Sequence, residues 1–115
     1  RTLTINSADL QSCGNYMWSS ITLNPNANLV LSDNAISDAV RVVKTSGSAS
    51  FDINDNLFDR NYIGLDISGT PVNLGFSGNL FSCSNVLRSG QWGAYGIRAT
   101  NTDYLLIGDA GVVVL

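Results

Sequence analysis

The sequence predicts an all-β fold, a parallel β-solenoid of about five coils of 22–26 residues that fills residues 1–115 as a single domain. Three observations predict it. A four-point pattern of apolar residues and Asn recurs at a near-constant period. The residues within each copy alternate between apolar and polar. The composition is poor in helix formers and rich in turn formers.

The pattern apolar-x-apolar-x-x-Asn-x-apolar fits Leu29, Leu31, Asn34 and Ile36. It fits again at Phe51, Ile53, Asn56 and Phe58, and at Leu74, Phe76, Asn79 and Phe81. A degenerate first copy is Leu3, Ile5, Ala8 and Leu10, and a weaker last copy is Ile97, Ala99, Thr102 and Tyr104, with Thr in the Asn place. Coils therefore start near residues 3, 29, 51, 74 and 97, in steps of 26, 22, 23 and 23 residues.

Inside the copies, Phe51-Asp52-Ile53-Asn54 and Leu74-Gly75-Phe76-Ser77 alternate with period two, the mark of a strand with one buried face. Further alternating stretches follow at Val40-Arg41-Val42 and Tyr62–Ile67, so each coil holds two or three short strands. A repeat of this length cannot hold a strand and a helix of such composition, but it suits one turn of a parallel solenoid. Leu31, Ile36, Ile53, Phe58, Phe76, Phe81 and Tyr104 are then the inward core stack. Asn34, Asn56 and Asn79 stand above one another at one corner, where Asn tolerates left-handed backbone and hydrogen-bonds along the stack as a structural ladder.

Composition supports this reading. The chain has 13 Asn, 14 Ser and 11 Gly, no Glu, no His and a single Lys, Lys44, so the strongest helix formers are the depleted ones. A net charge of −3, with five scattered Arg, leaves no electrostatic footprint for nucleic acid. No apolar run approaches the length that spans a bilayer, so no membrane insertion is expected.

The strings Ile53-Asn54-Asp55-Asn56-Leu57-Phe58 and Phe76-Ser77-Gly78-Asn79-Leu80-Phe81 resemble the Asn-x-Phe coils of the right-handed parallel β-helix repeat family, the pectate-lyase-like superfamily. The resemblance covers residues 29 to about 107. It implies a right-handed coil and a secreted, cell-surface setting, as in large bacterial surface proteins. It leaves function open, because this fold hosts enzymes, adhesins and structural parts alike.

Two stretches break the period, residues 11–20 and 88–96. Insertions in a solenoid become loops on its flank. Each carries a Tyr and a Trp, and Tyr16, Trp18, Trp92 and Tyr95 are the candidate contacts for a glycan or a protein partner. The competing reading folds these loops back to bury their rings. Cys13 and Cys83 face similar directions about three coils apart, roughly 14 Å, which is too far for a disulfide unless the first loop bends over. Two separate thiols are expected, with Cys83 inward.

The chemistry-bearing residues are sparse. With no His, imidazole bases, nucleophile triads of the Ser-His type and His metal clusters are excluded. No cofactor is expected. Asp52, Asp55 and Asp59, helped by Asn54, are the candidate calcium ligands, set against an ordinary reading as solvated outward positions. Asn101-Thr102-Asp103 matches one short motif of the polygalacturonase branch without its companions.

The chain starts at Arg1 without Met and ends in Val112-Val113-Val114-Leu115, a strong strand former with no capping helix. This predicts an excerpt of a longer solenoid or copies stacked end to end, with Leu3, Ile5, Val112 and Val114 at the junction. The expected function is a non-catalytic extracellular structural or adhesive module of a surface fibre. Its partners would be copies of itself or flanking coils. A carbohydrate-binding module is the alternative, and a polysaccharide lyase or hydrolase fragment has least support.

Overall fold

Twelve short strands wind in threes around one apolar core in the computed structural model, which describes residues 1–72, 74–101, 105–107 and 111–113. The first rung is β1 (Thr2–Asn6), β2 (Asp9–Leu10) and β3 (Ile21–Leu23). The second is β4 (Asn28–Ser32), β5 (Ala35–Ser37) and β6 (Arg41–Ser46). The third is β7 (Ser50–Asn54), β8 (Leu57–Asp59) and β9 (Ile63–Ser68). The fourth is β10 (Leu74–Ser77), β11 (Leu80–Ser82) and β12 (Tyr95–Thr100). Each strand pairs with the strand three places later, giving sheets β1-β4-β7-β10, β2-β5-β8-β11 and β3-β6-β9-β12, all parallel. The described chain is thus a β-solenoid with three-strand coils.

The period-two pattern sets the register. Leu3, Leu29, Phe51 and Leu74 align in the first sheet, as do Ile5, Leu31, Ile53 and Phe76. Leu10, Ile36, Phe58 and Phe81 align in the second. Of the predicted core stack, Leu31, Ile36, Ile53 and Phe58 are buried, while Phe76 and Phe81 are half-buried and packed on the core. Tyr104 lies outside the described residues. The rings of Phe58 and Phe81 stack at 4.7 Å between centroids, a contact worth about 1 kcal/mol beyond its burial.

The Asn ladder forms as predicted, with one correction. Asn56 Oδ1 accepts from the backbone N–H of Asn34 at 2.9 Å and from Asn34 Nδ2 at 3.0 Å. Asn79 Oδ1 accepts the same pair of bonds from Asn56, each at 3.0 Å. Each side-chain amide also donates to a carbonyl of the preceding rung, from Asn34 to Ile5, from Asn56 to Leu31 and from Asn79 to Ile53. The left-handed residue is not the ladder Asn but the one before it: Ser7, Asp33, Asp55 and Gly78 have φ of 54, 57, 61 and 67°. Turning the chain one residue earlier leaves the Asn side chain free to point inward, where Asn34 and Asn56 are buried.

Two further expectations are corrected at the C-terminal end. Ile97 and Ala99 do not begin a fifth coil, because β12 pairs Ile97 with Leu65 and Ala99 with Ile67, on the third sheet. The misleading spacing has a simple origin. From Phe51 to Leu65 the chain takes 14 residues, whereas from Leu74 to Ile97 it takes 23, so an insertion of nine restores one coil length by coincidence. Val112 is likewise not on an open parallel edge. It lies in β14 (Gly111–Val113), which pairs antiparallel with β13 (Leu105–Ile107), and β13 lies against β10. Gly108 and Asp109, turn-forming types, separate the two apolar runs in the sequence. Val114 lies outside the described residues.

Candidate functional site

Both insertions leave the solenoid at the same corner, between the second and third sheets. The first joins β2 to β3 and the second joins β11 to β12. The second insertion folds back along the stack as a strap. Its base is fixed by Asp59, whose carboxylate accepts from Ser82 Oγ at 2.9 Å, Ser84 N at 2.8 Å and Ser84 Oγ at 2.7 Å. A tight turn follows, with Leu87 N–H bonded to Gln91 O and Gly90 N–H bonded to Leu87 O. Leu87 is buried beneath it. Gly90, at φ 83°, occupies open space at the tip.

Arg88 fastens this strap to the first two rungs. Its Nε lies 3.1 Å from Asp38 Oδ2, and its Nη1 donates to Gly14 O in the first insertion. Asp38 is 2% exposed, sits at φ 66°, and also accepts from Ser12 N–H at 3.2 Å. A buried carboxylate needs such partners, because leaving it without a cation costs several kcal/mol.

The aromatic residues of the insertions divide. Trp18 turns inward: its indole N–H donates to Ser37 O at 2.8 Å and its ring packs on the core. The competing, structural reading of its loop holds for Trp18. Tyr16, Trp92 and Tyr95 are 71, 61 and 52% exposed, and Tyr95 lies 5.7 Å from the Arg98 guanidinium. Beside Tyr95 a cavity of about 220 Å³ opens between the strap and the coil wall, lined by Phe58, Asn61, Phe81, Cys83 and residues Gly93–Gly96. Glycine shapes it: a Cβ on Gly64 would collide with the Phe81 ring and come within 2.6 Å of Gly96 O. Cys83 is half-buried and its Sγ donates to Asn85 O at 3.1 Å. Cys13 is exposed, and the two thiols are unbridged.

Asn61 was not singled out by the repeat, yet its side chain ties the second and third rungs together at this corner. Its Oδ1 accepts from Ala39 N–H and its Nδ2 donates to Ile36 O, both at 2.9 Å. The repeat carries no signal for it, because the places five residues after Asn34, Asn56 and Asn79 hold Ala39, Asn61 and Ser84, three different residue types.

On the outer face of the third sheet, Asp66 joins Arg41 and Arg98. Arg41 Nε donates to Oδ2 at 3.0 Å, Arg98 Nη2 to Oδ2 at 2.9 Å and Arg98 Nε to Oδ1 at 3.2 Å. Burial works to raise the Asp66 carboxyl, but Arg98 and then Arg41 outweigh it and hold it below the ordinary 3.8. Asp59 is also held below 3.8: burial opposes, and the bonds from Ser84 and Ser82 with the charge of Arg60 prevail.

The candidate calcium residues are not brought together. Asp52 accepts from Asn54, Asp55 stands at the left-handed corner beside Gly78, and Asp59 holds the strap. Among the described residues, no three carboxylate, His or Cys side chains converge on a metal-sized site. Thr102 and Asp103 of the polygalacturonase-like tripeptide lie outside the described residues. Among the described residues no helix is long and apolar enough to cross a membrane.

The N-terminal end of the stack is the other exposed feature. β1, β2 and β3 are edge strands of their three sheets. Between them lies a hollow of about 400 Å³ lined by Ile5, Leu10, Trp18 and Ile21, with Asp9, Gln11 and Ser20 at its rim. Leu3, of the predicted junction set, is 47% exposed on β1. Comparison with family models, with curated proteins and with solved structures returned no match.

Proposed function

We propose that this chain is a non-catalytic structural or adhesive module of an extracellular surface protein, a stiff solenoid segment that carries its flank loops at a fixed spacing. The observation that carries the reading is the largely buried Asn ladder, which ties rung to rung from Ile5 to Asn79, with Asn61 adding one more tie to Ile36. Such ladders resist shear along the stack and contribute to no reaction. The absence of any His from the chain and the use of Asp38, Asp59 and Asp66 in structural bonds support the non-catalytic part. The resemblance to pectate-lyase-like coils supports a right-handed coil and a secreted setting.

Immunogold electron microscopy of the source cells, with antibodies to this chain, tests the reading. Label on the cell surface or on fibres is expected, together with no bond cleavage across a panel of polysaccharides. Label confined to the cell interior, or cleavage lost on mutation of a described Asp, would contradict it.

A second reading, a carbohydrate-binding flank, is favoured by the exposure of Trp92 and Tyr95 beside the cavity under the strap. Fluorescence titration with glycans, compared between the native chain and Trp92→Ala, tests it.

A further inference from the structure

We propose that the cavity under the strap is a binding site for a neutral, apolar ligand the size of one aromatic ring system, of the phenyl or indole class. The inference goes beyond both readings above, since it concerns the inside of the cavity and not the exposed flank.

The site is built from the middle of the chain and held open in advance. Every wall belongs to residues between Phe58 and Gly96, on the third and fourth rungs and the strap that joins β11 to β12. Arg88 on Asp38 and Ser84 on Asp59 pin that strap. Close backbone contact fixes its return to the wall: a Cβ on Gly93 would stand 2.9 Å from Asn61 O, and one on Gly96 3.2 Å from Phe81 Cγ. Sites for small ligands are commonly preformed hollows of this kind.

The lining selects an apolar, aromatic guest. Phe58, Phe81 and Tyr95 bring three rings to it, the first two stacked at 4.7 Å and 13° from parallel. The polar groups beside them are already turned to the protein. Asn61 Oδ1 accepts from Ala39 N–H and its Nδ2 donates to Ile36 O. Ser82 Oγ donates to Asp59, and Cys83 Sγ donates to Asn85 O. The N–H groups of Ala94 and Tyr95 both donate to Tyr62 O. No Asp, Arg or Lys lines the cavity. A charged guest would therefore enter without a counter-charge, and the hydroxyls of a sugar ring would leave water for few partners. Water itself is poorly held, because a buried water needs several polar partners. An aromatic ring meets neither cost and gains apolar contact with the rings of the wall.

Volume sets the size. An apolar cavity of about 150 Å³ holds benzene, so the 220 Å³ here takes a substituted benzene or an indole.

Titration of the native chain with indole, followed by amide NMR, tests this. Saturable shifts are expected at Gly64, Cys83 and Gly93–Gly96, with none at Ile5, Leu10 or Ile21 of the other apolar hollow. Indole should also slow alkylation of Cys83 by N-ethylmaleimide and leave the exposed Cys13 unaffected. Cys83→Met, which adds bulk to the lining, should weaken binding at least about tenfold at unchanged amide dispersion. N-acetyltryptophanamide in place of indole separates the sources: binding of both assigns a partner's aromatic side chain, and binding of indole alone a free small molecule. No saturable shift in the native chain, or shifts centred on Ile5, Leu10 and Ile21, would overturn the proposal. Glucose moving the same amides as strongly as indole would overturn the apolar assignment.

Discussion

Arg88 Nε stands 3.1 Å from Asp38 Oδ2, so a loop of the fourth rung is fastened to a buried carboxylate of the second. This contact decides the shape of the flank, because it holds the strap against the coil wall and covers Leu87. Arg88→Ala leaves Asp38 buried without its cation. Since the Arg88 side chain is about one-third exposed, the expected loss is about 2 kcal/mol, below the roughly 3–5 kcal/mol of a fully buried pair. Denaturant unfolding measures it, and limited proteolysis is expected to cut near Gly90 in the variant before any other site.

The centre of the Asn ladder should be its most sensitive point. Asn56 donates to Leu31 O, Asn54 O and Asn79 Oδ1 and accepts from Asn34 twice. Asn56→Ala strands buried donors and a carbonyl, and a loss of about 3 kcal/mol is expected. Asn6→Ala, which removes an exposed bond to Ser32, should change stability by less than about 0.5 kcal/mol.

One core position is polar without a partner. Thr45 is fully buried between Leu23 and Ile67 in the third-sheet stack, and its Oγ1 has no hydrogen-bond partner. Thr45→Val keeps the shape and removes the orphan hydroxyl. It should stabilise the chain by about 1 kcal/mol, read as a higher denaturation midpoint at unchanged slope.

Gly64 is required by the Phe81 ring. Gly64→Ala puts a Cβ into that ring and close to Gly96 O, and the backbone of β12 cannot move far without breaking its ladder to β9. A loss of about 2 kcal/mol is expected in thermal or denaturant unfolding.

Stability should fall in acid and be level near neutrality. Asp66 and Asp59 titrate below their ordinary 3.8 in the folded chain. A carboxyl held down in this way contributes stability that is fully present above the unfolded value and lost as pH falls through the folded one. With no His in the chain, no histidine step intervenes between pH 5 and 8. Melting temperature is therefore expected to hold down to about pH 4 and drop below it. Asp66→Asn should lower it at neutral pH and reduce the acid drop.

The strands and the core were legible because they are written at short range. Period two selects Leu29, Leu31, Phe51 and Ile53 as inward without reference to anything distant, and the 22-residue recurrence of Asn34 and Asn56 then fixes the stacking. What was hidden depends on loop length and on reach. The nine inserted residues before β12 made Ile97 look like a coil start, since a repeat count cannot tell a longer loop from another strand. Arg88 and Asp38 carry no pattern, because their meeting requires the strap to turn back across two rungs. Trp18 and Trp92 look alike as loop aromatics, yet the indole of Trp18 finds Ser37 O whereas Trp92 remains exposed. At the third corner residues 44–50 read as an ordinary polar corner, but its left-handed turn was unread: Gly47, Gly69 and Asn101 turn left-handed there, and Pro25, whose ring forbids it, passes the turn to Asn26.

The most direct test of the stacked-rung account is a set of nuclear Overhauser contacts along the Asn ladder. The account predicts contacts from the Asn34 amide to the Asn56 side chain and from the Asn56 amide to the Asn79 side chain, with Ala8 to Asn34 completing the row. Cross-strand contacts between successive segments instead, such as β4 with β5 or β7 with β8, would mean an antiparallel meander and would contradict it.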